Sequence, residues 1–96
     1  MICVAVTYVL KPGTEDEAVR LFGLLTPATR AEPGCRMYLA HRSADDPRRF
    51  FLYEQYDGPE DLEYHRSSPH FTEYVTNGLF ELIETRTPEL YIPLEE

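Results

Sequence analysis

Four side chains in the second half of the chain have types and spacings that suit proton chemistry: Glu54, Tyr56, His65 and His70. Glu54 stands in phase with Phe50, Leu52 and Tyr56 in an otherwise apolar alternation. A carboxylate in such a setting is either paired with an arginine, such as Arg42 or Arg86, or serves a pocket as a polar anchor or base. His65 follows Leu62 by three residues, so on a helix the two share a face and the imidazole turns toward whatever Leu62 packs against. Imidazole titrates nearest neutrality, which suits a general base; a hydrogen-bonded core histidine would occupy the same place. His70 falls in the first turn of a further helical stretch, where the helix dipole opposes a positive charge, and reads first as structural. A metal shared by Glu54, His65 and His70 is not expected, because the His-x4-His spacing spans a predicted helix break and matches no standard ligand pair. No phosphate loop, paired zinc-type cysteine motif or nucleophile elbow occurs.

The elements that must position these groups follow from hydrophobic period and turn residues. Residues 2–10, ICVAVTYVL, read as a strand ended by Lys11-Pro12-Gly13. Thr14 and Glu17 have capping-box spacing, and Ala18, Leu21, Phe22 and Leu25 continue at helical spacing. Thr26-Pro27 predicts the end of that helix or a kink. After the turn Glu32-Pro33-Gly34, residues 35–42 form a second strand with Cys35, Met37, Leu39 and His41 on one face and Arg36, Tyr38, Ala40 and Arg42 on the other. A hairpin over residues 44–47 leads into a third strand, 49–56. Asp57-Gly58-Pro59 opens a second helix. It breaks near Ser67-Ser68 and restarts at Pro69 with Ser68 as cap; Phe71, Val75, Leu79 and Leu82 then share a face, with Asn77-Gly78 a point of interruption. Residues 84–93 read as a last strand. Its Pro88 and Pro93 require an edge position or a bulge, because proline donates nothing to a ladder.

The order β-α-β-β-α-β is the split βαβ, ferredoxin-like plan of an α+β fold, with the first and third strands central in a four-stranded antiparallel sheet. Ninety-six residues suffice for one domain, 1–96, with a core of its own. The net charge of −8 opposes nucleic acid and anionic membranes as partners, since both need basic patches. No apolar run reaches the ~18 residues of a membrane span, and the N-terminus lacks the basic start and cleavage site of a signal peptide; a cytoplasmic location is the expectation. Cys3 and Cys35, both in apolar runs, read as reduced buried thiols.

Two helices cover one face of such a sheet, and the other face should then be polar. Here strands one and three are apolar on both faces. A second copy of the chain, packed sheet face to sheet face as a C2 homodimer, is the economical cover.

Taken in order, Glu32-Pro33-Gly34-Cys35, Tyr38, Asp46-Pro47, Phe50, Tyr53-Glu54-x-Tyr56 and His65-x-x-Ser68-Pro69-His70-Phe71 resemble the antibiotic biosynthesis monooxygenase domain across nearly the whole chain. The resemblance implies a dimeric α+β barrel. It also implies one of several activities: cofactor-independent oxidation of quinols or polyketide anthrones by O2, haem degradation, or isomerisation of a phosphorylated autoinducer. Haem-degrading members carry Asn, Trp and His where this chain has Thr7, His65 and Val75, which argues against that activity. Anthrone monooxygenases carry Asn, Trp and Tyr where it has Leu52, Tyr56 and Leu62. The closer local match is to quinol monooxygenases and the autoinducer isomerase, which share Glu54, His65 and the Pro69-His70 step.

The expectation is therefore a cofactor-independent monooxygenase acting with O2 on a small quinol or polyketide-like aromatic, with no metal and no cofactor. His65 is the expected base, with Tyr56 and Glu54 as its catalytic companions orienting the substrate, and Tyr38, His70 and Leu52 lining the substrate site. The alternatives are an isomerase or other proton-transfer enzyme on a small carbonyl compound, with Arg36, Arg42 or Arg86 taking any phosphate, and a non-catalytic binding dimer.

Overall fold

The computed structural model describes residues 1–95. Four strands, β1 (Ile2–Leu10), β2 (Cys35–Arg42), β3 (Arg49–Tyr56) and β4 (Ile83–Tyr91), form an antiparallel sheet in the order β2-β3-β1-β4. The proline-bearing β4 lies at an edge, with Pro88 opposite Val6. Helices α1 (Glu15–Arg30) and α2 (Pro59–Arg66) are followed by a π-helical segment, Phe71–Leu79, and a last helical turn, Phe80–Leu82. This is the expected βαββαβ, ferredoxin-like arrangement.

Strand alternation sorts the side chains into two sets. Val4, Val6, Tyr8 and Leu10 of β1 and Phe50, Leu52, Glu54 and Tyr56 of β3 are buried. They share the core with Ala18, Leu21, Phe22 and Leu25 of α1, Leu62 of α2, and Val75 and Leu79 of the π-helical segment. The segment packs closely on α1 at Gly78, where a Cβ would lie 3.1 Å from Leu21 Cδ1. The opposite face presents Met37, Leu39 and Phe51, each about 40% exposed at 41%, 43% and 40%.

Three local expectations give way. Thr14 does precede α1, but its hydroxyl donates back to the Lys11 carbonyl at 2.7 Å and Glu17 pairs with Arg20, so no capping box forms. The local hydroxyl-to-carbonyl bond wins because the Lys11-Pro12-Gly13 turn brings that carbonyl within reach. Pro27 does not end α1, which runs on to Arg30. Proline costs the helix one backbone bond in its last turn, and the burial of Thr29 beyond it secures that turn. A bulge between Cys35 and Met37 sets Cys35 opposite Tyr56, so Cys35 packs against the core from the helix side, half-exposed, while Met37 keeps the open face. The bulged Arg36 reaches Asp57.

Candidate active site

The helix break seen in the sequence is where the site forms. Pro59 starts α2 behind Gly58, and the helix ends at Arg66. The Ser68 hydroxyl then donates to the His65 carbonyl at 2.7 Å and accepts the Phe71 N–H at 3.2 Å, which ties the end of α2 to the start of the next segment. This brings His65 and His70 to one place. His65 is 3% exposed, its ring edge-on to Phe71 at 5.2 Å and tilted against Tyr56 and Tyr38 at 5.4 and 5.8 Å.

The residue that organises the cluster is Glu32, in the turn after α1 and 6% exposed. Its Oε2 accepts from His65 Nδ1 at 2.8 Å and from His70 Nε2 at 2.5 Å. A carboxylate only accepts, so each imidazole turns an N–H toward it. With its proton on Nδ1, His65 keeps Nε2 as the free lone pair, the tautomer a base requires. Burial lowers the affinity of His65 for a proton, against the pull of Glu32, so the imidazole is neutral at pH 7. Glu32 reads in the sequence as the first residue of a turn. Its only sequence signal is membership of the Glu-Pro-Gly-Cys motif; its partners stand 33 and 38 positions away.

His65 Nε2 faces Glu54 Oε1 at 3.6 Å. Glu54 accepts the Tyr56 hydroxyl proton at 2.5 Å. Burial pushes the Glu54 carboxyl up to about 7, while the Tyr56 hydroxyl, Arg86 and Arg66 pull it down. Burial and the neighbouring Glu54 carboxylate raise Tyr56, which stays a phenol. Of the two arginines expected beside Glu54, Arg86 on β4 is the one placed there; Arg42 instead lies over the Phe50 ring at 5.0 Å.

A small cavity of about 20 Å³ opens at this point. Glu54, His65, Tyr38 and Leu52 line it together with Arg66 and Arg86. Tyr56 reaches it through Glu54, and His70 stands behind His65 on Glu32. Tyr38 Oη and Arg86 Nε are buried without a hydrogen-bond partner, and burial raises the Tyr38 phenol well above its ordinary range. Tyr38 and Arg86 therefore bring two unused donors to a cavity that also holds a base.

The chain is a ferredoxin-like α+β domain with a buried Glu32–His65 pair beside a small cavity. The model of the antibiotic biosynthesis monooxygenase family matches residues 1–77, and the chain belongs to that family. It is 33% identical over 73 residues to "Putative monooxygenase Rv0793" of Mycobacterium tuberculosis, covering 76% of this chain and 71% of that protein. The solved structure of that protein superposes with a TM-score of 0.90 at 30% identity, covering 99% and 96% of the two chains. A "Putative antibiotic biosynthesis monooxygenase from Nitrosomonas europaea" superposes with a TM-score of 0.92 at 25% identity, over 98% and 99%. Among the described residues no helix is long and apolar enough to cross a membrane.

Proposed function

We propose that this protein is a cofactor-independent monooxygenase that oxidises a small quinol or polyketide-like aromatic with O2. The observation that carries the reading is the neutral His65, held by Glu32 through Nδ1 and lining one cavity with Tyr38 and Arg86, whose Oη and Nε have no hydrogen-bond partner. His65 takes the phenolic or enolic proton, and Tyr38 and Arg86 hold the resulting oxyanion in a water-poor site. The electron-rich anion reduces O2 itself. For a substrate ring methylene that becomes a carbonyl, one oxygen atom enters the product and the other leaves as water with the two methylene hydrogens, so O2 accepts the four electrons the carbon gives up. The cavity holds about one water, so an aromatic ring enters only if the side chains that line it move apart. An oxygen-electrode screen of hydroquinones and anthrones with metal-stripped protein tests the reading: consumption of one O2 per product supports it, and product without O2 uptake ends it.

Arg66 and Arg86 on the cavity favour one second reading, proton transfer on an anionic carbonyl compound. The same base and donors would shuttle a proton between carbons through an enediolate, with no O2 consumed.

We propose also that two copies pack through the open sheet face as a homodimer. Contiguous Met37, Leu39 and Phe51 support it, because an exposed apolar sheet face marks an association surface. Light scattering at micromolar protein gives the mass, and a monomer ends this proposal.

A further inference from the structure

The cluster of Glu32, His65 and His70 has features that base catalysis does not use. Glu32 Oε2, His65 Nδ1 and His70 Nε2 come from three separate stretches of chain and lie within 4.8 Å of one another. General-base action by His65 needs one carboxylate contact; it does not need a second imidazole on the same oxygen. Glu32 Oε1 is buried with no hydrogen-bond partner, so one acceptor of a deeply buried carboxylate is unspent.

We propose that Glu32, His65 and His70 form a binding site for a divalent transition-metal ion, with Glu32 Oε1 available as an additional ligand. Two imidazoles and one carboxylate are a donor set for zinc, cobalt(II) or iron(II). With neutral imidazoles the site carries one negative charge, which favours a divalent cation. The ion replaces the two N–H protons that now hold the three atoms at 2.5 and 2.8 Å. Metal–ligand bonds of ~2.1 Å in a tetrahedral site put ligand atoms ~3.4 Å apart, so each imidazole nitrogen moves away from Glu32 Oε2 by roughly 0.6–0.9 Å. The surroundings fit the same role. A ligating histidine commonly donates its other N–H to a carboxylate, and His65 Nε2 faces Glu54 Oε1 at 3.6 Å. His70, with a side chain 19% exposed, supplies the approach from solvent.

The inference goes beyond the oxygenase reading and does not rest on it. Metal on Nδ1 moves the His65 proton to Nε2, so the loaded form has no free base. The metal-free protein is the form in which His65 can act.

Metal-stripped protein is titrated with Co2+ in the visible range and with Zn2+ by competition, while turnover is followed separately on the stripped form. The expected result is one ion per chain at micromolar affinity or tighter, with the intense visible bands of low-coordinate cobalt and no thiolate charge-transfer band from Cys3 or Cys35. His70→Ala should weaken binding ~100-fold or more, beyond the ~10–100-fold that an outer-shell change costs. His70 is partly exposed, so the fold should survive the substitution, as circular dichroism checks. Glu54→Gln should weaken binding ~10-fold, and Glu63→Gln, exposed on α2, should leave it unchanged. No binding at ~100 µM ion, a thiolate band, or binding unaffected by His70→Ala in folded protein overturns the site. Turnover of stripped protein decides the oxygenase reading independently.

Discussion

The two faces of one sheet carry similar apolar content and have different fates. On the helix-covered face, Val4, Val6, Tyr8, Phe50 and Leu52 are at most 4% exposed, and the same face carries Glu54 and Tyr56 into the site. On the other face, Met37, Leu39 and Phe51 stay about 40% exposed, with the His41 ring tilted against Phe51 at 5.6 Å. Strand chemistry alone does not separate the faces. What separates them is that both crossovers lay their helices on one side. Polar groups beneath the helices are withdrawn from water, and the Glu32–His65–Glu54–Tyr56 contacts pair some of them, while Tyr38 Oη stays without a partner. Polar groups on the open face can use water.

Substitutions can break or sharpen this contrast. The largest effect is expected at His65: His65→Ala should lower turnover at least ~100-fold in a protein that still folds, and unchanged turnover would remove His65 from the mechanism. Next come paired truncations on the two faces. Leu79→Ala, at a fully buried position, should cost about 3 kcal/mol in denaturant unfolding. Leu39→Ala should cost under about 1 kcal/mol in the monomer; a greater cost that grows with protein concentration would reveal the dimer.

The third prediction concerns pH. Glu54 holds its proton up to about 7 in the folded protein, against an ordinary value of 4.5. The stability this gives is complete below 4.5 and is lost as the pH rises through 7. Glu54→Gln keeps an acceptor for Tyr56 and removes the titration, so it should stabilise the protein at pH 8 relative to pH 5 by on the order of 2 kcal/mol. His65 acts in the opposite sense: its lowered value costs stability as the pH falls below 6.5, so His65→Gln should flatten the acid limb of urea midpoints against pH. The smallest effect on folding is expected from Phe51→Glu, which should change monomer stability by less than about 0.5 kcal/mol yet abolish association in light scattering.

Much of the fold was legible because it rests on local rules. The two-residue period of β1 and β3, the Pro59 start of α2, the break at Ser67-Ser68 and Pro88 in the edge strand β4 each state a backbone constraint that the chain obeys, while Pro93 falls beyond β4, which ends at Tyr91. The misses were local competitions: the Thr14 hydroxyl chose a nearby carbonyl, tertiary packing held α1 past Pro27, and a bulge at Arg36 moved Cys35 across the sheet. None is visible in a period.

The site divides the same way. Glu54, Tyr56 and His65 announced themselves as polar groups in apolar phase, and Leu62 fixed the direction His65 faces. The sequence by itself thus determined the strand and helix order, the two apolar faces, and the inward setting of Glu54 and His65, because each depends on neighbours within a few residues. Only the tertiary structure decided that Glu32 rather than Glu54 bridges the two histidines, that Arg86 rather than Arg42 meets Glu54, and that Tyr38 and Arg86 keep donors unspent. Those facts depend on which turns and strands the sheet order brings together. A carboxylate in a turn carries no local mark of a histidine thirty-three residues away.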